Sequence, residues 1–176
     1  MEEIRLIEPT MEYADDIMMF RKEIIEADDE DSFAGCGSLE KCQTAEEWLQ
    51  SVHADQKGIN GKVPSSTYLA VRMADKRIVG IIDLRHHINH PILGLWGGHI
   101  GYSVRPSERG KGYATEMLRL NLQNCRLRNL DKVMVTCSCG NPASEKTILA
   151  NGGIFEKEVV VDGEHIKRYW INFLSG

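Results

Sequence analysis

The apolar positions in the first third of the chain follow two different spacings. Residues 4–7 form a short apolar run that stops before Pro9, and this pattern predicts a strand. Across residues 10–27 the apolar side chains recur at steps of three and four, which predicts a helix. A second helix is predicted from Thr44, because Glu47 completes a capping box with it.

The middle of the chain first changes to strand-like segments. Residues 67–73 and 77–85 are rich in apolar and β-branched residues and flank Asp75-Lys76, which predicts a hairpin. Residues 99–104 predict a further strand. Residues 112–127 then place their apolar side chains on a single stripe, which predicts an amphipathic helix.

The last third of the chain alternates strands with one short helix. Residues 132–137 form the apolar kind of run expected of a strand at the centre of a sheet, and residues 143–150 predict the helix. Two final strands flank Asp162-Gly163, a pair that favours a hairpin turn. Because the chain has no repeat and no long linker, we predict one mixed α/β domain over residues 1–176.

Charge and targeting signals narrow the classes of partner. The 176-residue chain has a net charge of −5, which disfavours nucleic-acid binding because that function needs a basic surface. No apolar run approaches the roughly 20 residues that span a membrane. The first residues, Met1-Glu2-Glu3, lack the basic start of a signal peptide. We therefore expect a cytoplasmic protein without a membrane or nucleic-acid partner.

Cysteine and histidine spacing does not favour a metal site. Five cysteines, an odd number, argue against a disulfide framework, and Cys137-Ser138-Cys139 lacks the gap and the second ligand pair of a zinc site. His86 and His90 are four residues apart, but they follow a strand and adjoin Pro91 instead of sharing a helix face. We expect no metal, and His86 to His90 form either a substrate-facing loop or a solvated one.

The segment between the predicted strand and the helix that follows carries the clearest chemistry. A turn with Gly110 and Gly112 leads directly into the helix, so several backbone N–H groups converge where the helix dipole favours negative charge. A pyrophosphate suits such a site. The spacing does not match a P-loop, and a dinucleotide fingerprint would need glycine where Thr115 stands. A tight connection that only needs glycine backbone freedom remains the structural alternative.

The turn resembles the acetyl-CoA signature of the GNAT acetyltransferase superfamily, Arg/Gln-x-x-Gly-x-Gly/Ala. Here the motif is Arg109-Gly110-Lys111-Gly112-Tyr113-Ala114, preceded by Val104-Arg105-Pro106 and followed later by Asn141-x-x-Ser144. The order of elements is similar to the GNAT plan over nearly the whole chain. Residues 63–67, 97–106 and 168–170 resemble an uncharacterised bacterial group of predicted acetyltransferases. The resemblance implies a GNAT fold, with a mixed central sheet of about six to seven strands and about four flanking helices.

The resemblance also implies an activity and a set of binding residues. It implies an acetyl-CoA-dependent N-acetyltransferase that acts on a primary amine of a small molecule or peptide, and it allows a homodimer. The residues implied to contact the cofactor are Tyr102, Ser103, Val104, Arg109, Gly110, Lys111, Gly112, Tyr113, Ala114, Thr115, Asn141, Ser144 and Lys146. Tyr102 and Val104 would pair with the pantetheine arm through their backbones, residues 109–115 would hold the pyrophosphate, and Ser144 or Lys146 would reach its outer end.

The catalytic groups are less clearly indicated. Many GNAT enzymes have a proton-donating tyrosine at the position of Ile148, so this chain departs from that pattern. His99 is the best candidate for the base, although a histidine that is satisfied inside the sheet is the favoured alternative. A backbone N–H at Tyr102 or Val104 is the predicted donor to the developing oxyanion. The missing tyrosine leaves open a non-catalytic acyl-CoA-binding module, and, more remotely, a scaffold in an interaction protein.

Two other segments have open roles around the acceptor. Tyr169 and Trp170 lie on the last predicted strand and either shape the acceptor pocket or pack in the core. Residues 28–31, which are Asp28, Asp29, Glu30 and Asp31, either attract a cationic acceptor or form a solvated acidic loop.

Overall fold

The computed structural model describes residues 1–27 and 33–173. The acidic residues 28–31 lie outside this part, so their predicted role stays open. The strands are β1 (Ile4–Ile7), β2 (Ser65–Arg72), β3 (Arg77–Arg85), β4 (Tyr102–Val104), β5 (Lys132–Ser138), β6 (Ile154–Val161) and β7 (Glu164–Asn172). The α-helices are α1 (Ala14–Ala27), α2 (Ala45–Lys57), α3 (Tyr113–Leu127) and α4 (Pro142–Ala150).

The seven strands form two sheets. One has the order β1-β2-β3-β4 and the other β5-β7-β6, and every strand pair within them is antiparallel. The predicted α/β class, strand number and helix number are confirmed. The predicted central sheet is thus built in two parts, and within the described residues neither part contains a parallel ladder. The break falls between β4 and β5, which α3 connects.

Local signals explain the helix boundaries. The Thr44 side chain accepts a hydrogen bond from the Glu47 amide at 3.2 Å, and the Glu47 carboxylate accepts one from the Gln43 amide at 3.0 Å, so the predicted cap is present. At the start of the chain a single 3₁₀ turn, Met11–Tyr13, precedes α1. The first predicted helix is therefore α-helical only from Ala14.

Strand β4 is shorter than the six residues predicted for it, 99–104. The pairing with β3 continues beyond β4, since the Asp83 amide donates to the Gly101 carbonyl at 3.0 Å and the Arg85 amide to that of His99 at 2.7 Å. However, the Gly101 amide donates to the Asp83 side chain at 2.8 Å instead of to its carbonyl. That carbonyl accepts a bond from the Asn121 side chain of α3. A side chain thus accepts the hydrogen bond that a backbone carbonyl accepts in a regular antiparallel ladder, and regular strand geometry ends there.

Two apolar clusters hold the layers together. On one side, Tyr113, Met117 and Leu118 of α3 pack against the buried faces of both sheets. On the other, α1 and α2 cover β2 and β3, with Phe20 and Trp48 fully buried. Burying side chains of this size is the main stabilising contribution to such a layered domain.

Neither a membrane-spanning helix nor a metal cluster is present in the described residues. No described helix combines the length and the hydropathy needed to cross a bilayer. No group of three or more His, Cys, Asp or Glu side chains in residues 1–27 and 33–173 is arranged to hold a metal ion. The five cysteines are free thiols.

Candidate active site

A gap between β4 and β5 is the central feature of the site. The two sheets meet where the His99 amide donates to the Met134 carbonyl at 2.8 Å. Beyond this junction no strand pairing joins β4 to β5 in the described part of the chain. Because bonding alternates along an antiparallel strand, and Gly101 and Arg105 bond to β3, the backbone groups of Tyr102 and Val104 face the gap. An extended ligand could therefore pair with β4 there.

The glycine turn lies at the end of β4, where the chain enters α3. Gly110 and Gly112 have φ values of +75° and +88°, which side-chain-bearing residues rarely adopt. A Cβ atom on Gly110 would meet nothing within 4 Å, so the outer side of the turn is open. The first bond of α3 is from the Glu116 amide to the Gly112 carbonyl, which leaves the amides of residues 113–115 without a partner in the preceding turn. This is the geometry of an anion site at a helix start.

Buried Glu108 anchors the base of this turn. Its carboxylate accepts hydrogen bonds from Arg72 at 2.7 Å, Arg77 at 3.2 Å and Lys111 at 3.0 Å. Burial alone would raise the pKa of Glu108, but the bonds from Arg72 and Lys111 outweigh it and lower the pKa below its ordinary value. The side chain of Lys111 is therefore tied back to the protein, and only its backbone is available to the turn.

A pair of hydroxyl groups spans the gap. The Tyr102 side chain lies 2.6 Å from the Ser144 Oγ atom, measured between the two oxygens. Ser144 is held in the first turn of α4, where its amide donates to the Asn141 side chain at 3.1 Å. Burial raises the pKa of Tyr102 to about 12, so this phenol stays protonated at neutral pH. Sequence analysis proposed Tyr102 and Ser144 separately but gave no sign that they meet.

The geometry favours a structural role for His99 over the predicted base. Its Nδ1 atom accepts a hydrogen bond from the Met134 amide at 2.9 Å, so in the neutral ring Nε2 carries the proton. Burial lowers the pKa of His99 to about 4, with help from the nearby Arg85 charge. The lone pair of Nδ1 is thus already engaged by the backbone, and with a pKa of about 4 the ring is a weak base near pH 7. His99 instead joins the two sheets at the point where the gap begins.

The other predicted contact residues divide into two groups. The structure brings Tyr102, Val104, the turn 109–115, Asn141 and Ser144 to the gap or its mouth. The Arg109 side chain donates to the Val104 carbonyl at 3.3 Å. By contrast, the Ser103 hydroxyl donates to the Ala34 carbonyl on the opposite face of β4, and Lys146 is exposed, two residues past Ser144 and thus on the far side of α4. These two are not brought to the gap.

The remaining positions for which the sequence left two roles open are mostly packed against other side chains. Ile148, at the position where many GNAT enzymes have a tyrosine, is fully buried in the core. Tyr169 is also buried and its hydroxyl donates to Glu145, while Trp170 donates to Glu156 at 2.9 Å and stacks under Lys132. Core and surface packing thus account for the contacts of both aromatic residues.

Sequence analysis missed a buried ion pair at the start of the gap. The Arg85 Nε atom lies 3.1 Å from an oxygen of Asp83, and its NH1 group donates to the carbonyls of Gly97 and Gly98. The available signal was two charged residues, Asp83 and Arg85, at alternate positions of an otherwise apolar strand. Such residues share one face, and charges there need partners.

The family model of the GNAT acetyltransferase domain matches residues 5–154. The chain belongs to the GNAT acetyltransferase family. The predicted family and enzyme class are therefore confirmed. A comparison with curated protein sequences found no match.

Solved structures of GNAT acetyltransferases share the fold of this family member. Mycobacterium smegmatis RimJ in complex with CoA-disulfide is 18% identical with a TM-score of 0.70, covering 96% of this chain and 81% of that one. A chimera of the Vibrio cholerae spermidine N-acetyltransferase SpeG with hSSAT is 18% identical at a TM-score of 0.64, covering 96% and 95%. The microcin C7 self-immunity acetyltransferase MccE, in complex with acetyl-CoA and AMP, is 15% identical at 0.67, covering 97% and 93%. At these identities the likeness shows the fold alone.

Proposed function

We propose that this GNAT protein transfers the acetyl group of acetyl-CoA to a primary amine of a small molecule or peptide. The observation that carries the proposal is the continuous path from the open glycine turn, along the edge of β4 at Tyr102 and Val104 that pairs with no strand in the described residues, to the Tyr102–Ser144 hydroxyl pair. These three parts suit the pyrophosphate, the pantetheine arm and the thioester of one extended molecule. The acetyl-CoA bound by MccE has all three parts, and the CoA-disulfide bound by RimJ has the pyrophosphate and the arm.

The turn and the gap would hold the donor through backbone groups. Amides of residues 110–115 would donate to the pyrophosphate, with the positive end of α3 behind them. The backbone of Tyr102 and Val104 would take the place of a strand partner for the arm. Acetyl-CoA supplies an activated acetyl group whose thiolate leaves readily.

The hydroxyl pair replaces the tyrosine that this chain lacks. As the bond between carbon and sulfur breaks, the Ser144 hydroxyl would donate its proton to the sulfur and Tyr102 would hydrogen-bond to the serine oxygen. The raised pKa of Tyr102 keeps the phenol in its donating form. The Tyr102 amide, which faces the gap, would stabilise the oxygen of the thioester as negative charge builds there.

Calorimetric titration with acetyl-CoA tests the binding half of the proposal. We expect the wild type to bind, and Gly112→Asp to lose binding, because the carboxylate would point into the pyrophosphate site. Any side chain at Gly112 must also adopt a φ of +88°. Gly112→Asn is therefore the matched control, since it has the same shape and tolerates left-handed backbone but carries no charge. It should weaken binding less than the aspartate does.

Two outcomes would contradict the binding proposal. Wild-type protein that gives no heat with acetyl-CoA, and no change in thermal unfolding, would rule out the donor site. Equal affinity of Gly112→Asp and wild type would show that the turn does not hold the pyrophosphate.

Thiol release with a panel of amines tests the hydroxyl pair. Ser144→Ala should lower kcat by about 100-fold, as expected for removal of a general acid, and Tyr102→Phe by less. The double variant should be hardly slower than Ser144→Ala, since both residues act in one step. Tyr13→Phe, in the 3₁₀ turn that precedes α1, is the control and should retain wild-type activity. Fully additive losses in the double variant would refute the shared step.

A non-catalytic acyl-CoA-binding module is the second candidate. The observation that favours it is the buried isoleucine, Ile148, at the position of the usual tyrosine. Such a module would bind acetyl-CoA in the titration but release no thiol with any amine beyond the uncatalysed rate. Thiol release above the uncatalysed rate would exclude the non-catalytic module.

The acceptor amine is the second part of the proposal. The structural neighbours include a spermidine N-acetyltransferase and the ribosomal-protein acetyltransferases RimL and one from Vibrio fischeri. The amine panel should therefore contain polyamines and short peptides with free N-termini. A cytoplasmic location and a homodimer are further expectations, and gel filtration with light scattering measures the second.

A further inference from the structure

The carboxylate of Asp83 occupies a position that the proposed donor chemistry does not use. It lies on β3 opposite Gly101 of the chain leading into β4, and only 7% of the residue is exposed. One oxygen accepts the Gly101 amide at 2.8 Å, and the other lies 3.1 Å from Arg85 Nε. A carboxylate has about four acceptor sites, so both oxygens can accept further hydrogen bonds.

Asp83 and the hydroxyl pair lie on opposite faces of β4. Tyr102 packs on the side of α3 and α4, whereas Ser103 and Gly101 contact the segment at Ala34 and Gly35 on the side of α1 and α2. Asp83 pairs directly with Gly101 and therefore shares its face. A thioester beside Tyr102 would have a proton donor on one side and this carboxylate on the other.

The charges around Asp83 suit a proton acceptor. Burial raises the pKa of Asp83 above its ordinary value, and Asp55 of α2 adds to this, while Arg85 and the Gly101 amide oppose it. From the segment after α1 it faces Cys36, whose own pKa burial raises, so that thiol is uncharged. His99, two residues before Gly101, has a pKa lowered to about 4 and is neutral at pH 7.

We propose that Asp83 is the general base that takes the proton from the acceptor nitrogen, an inference that rests on the proposed acetyltransferase function. As the bond between nitrogen and the acetyl carbon forms, Asp83 accepts the N–H proton. The carbon–sulfur bond breaks, and the sulfur takes a proton from Ser144. Water then removes the proton from Asp83 and restores the one on the hydroxyl pair, so the products are the amide and free CoA.

Asp83→Asn tests the proposal because the new amide oxygen can still accept the Gly101 N–H while the base is lost. The assay follows thiol release from acetyl-CoA with the best amine of the panel, or with water as the acceptor if no amine is accepted. We expect kcat at pH 7 to fall by about 100-fold, the ordinary contribution of a general base. The rise of the rate with pH through the ionisation of the base should disappear, while calorimetric affinity for acetyl-CoA stays within about twofold.

Variants of Arg85 provide a second test, which is informative even if Asp83→Asn does not fold. Its positive charge lowers the pKa of Asp83, so Arg85→Gln should move the rising limb of the pH–rate profile to higher pH. Arg85→Lys keeps the charge and should leave the limb close to its wild-type position. Asp131→Asn, an exposed carboxylate at the start of β5, is the control for charge loss alone.

The outcomes separate this inference from the proposed function. If wild type binds acetyl-CoA and releases thiol, but Asp83→Asn stays within about threefold of it with an unchanged pH profile, Asp83 is not the base. An unmoved limb in Arg85→Gln refutes the assignment equally. If wild type neither binds acetyl-CoA nor releases thiol, the proposed function itself fails.

Discussion

Replacing Gly35 with alanine should destabilise the protein strongly and displace the segment that covers β4. Gly35 has a φ of +75°, and a methyl group there would overlap the carbonyl group of Gly101. Left-handed backbone costs a side-chain-bearing residue about 1–2 kcal/mol, and overpacking adds about 1–3 kcal/mol. We expect the free energy of unfolding in urea to fall by about 2–5 kcal/mol, since backbone on both sides must move.

Gly37→Ala separates the two contributions. Gly37 also has a left-handed φ, +56°, but a Cβ atom on it would meet only an Asp55 oxygen at 3.5 Å, an ordinary contact distance. It should therefore lose only the backbone contribution, about 1–2 kcal/mol. Equal losses in the two variants would mean that the close contact between Gly35 and Gly101 does not exist in solution. Because this contact faces the proposed acceptor side, Gly35→Ala should also raise the acceptor KM.

Arg105→Met should cause the other large loss of stability. Arg105 is only 1% exposed, and its guanidinium bonds to Glu23 at 2.6 Å, to Asp16 at 2.9 Å and to the Ile78 carbonyl at 3.1 Å. Removing one partner of a buried charge network leaves the others unpaired, which costs about 3–5 kcal/mol. We expect a loss of this size in urea unfolding, because these bonds hold α1 against the end of β4.

The pH dependence of stability offers an independent readout of this network. Burial tends to raise the pKa of Glu23, but hydrogen bonds from Ser107 and Arg105 lower it below the ordinary 4.5. A lowered carboxylate pKa stabilises the fold above the ordinary value, and this contribution is lost as pH falls through the folded value. Arg105→Met should flatten that acid dependence. Lys22→Met, which breaks only the exposed pair with Glu26, is the control and should leave both stability and its pH dependence unchanged.

The sequence predicts the elements well because their signals are local. The capping box at Thr44, the hairpin turns and the glycine turn each depend on residues within a few positions of one another. The position of the glycine turn was accessible for the same reason, since Gly110 and Gly112 need left-handed backbone whatever surrounds them. The family model supports the resemblance that this turn first indicated.

Contacts between distant residues were not accessible from the sequence. The Tyr102–Ser144 pair joins positions 42 residues apart, and Arg105 bonds to Glu23 across 82. No periodicity reports which of several hydroxyls or charges will meet once the layers pack. The length of β4 was overestimated because the Gly101 amide donates to the side chain of Asp83, 18 residues away, instead of to a backbone carbonyl. His99 shows the same limit, since its partner, the Met134 amide, is 35 residues away.

Under the proposed function, the division of the strands into two sheets would link the folding of this protein to the supply of its ligand. A molecule seated between β4 and β5 would bind both halves at once, and it has no site on the unfolded chain. At a concentration 100 times Kd such a ligand stabilises the fold by about 2.7 kcal/mol. The pyrophosphate and arm that make these contacts are common to acetyl-CoA and free CoA. The stability of the fold would therefore follow the total concentration of acetyl-CoA and CoA. Turnover converts the first into the second and would leave this stabilisation unchanged.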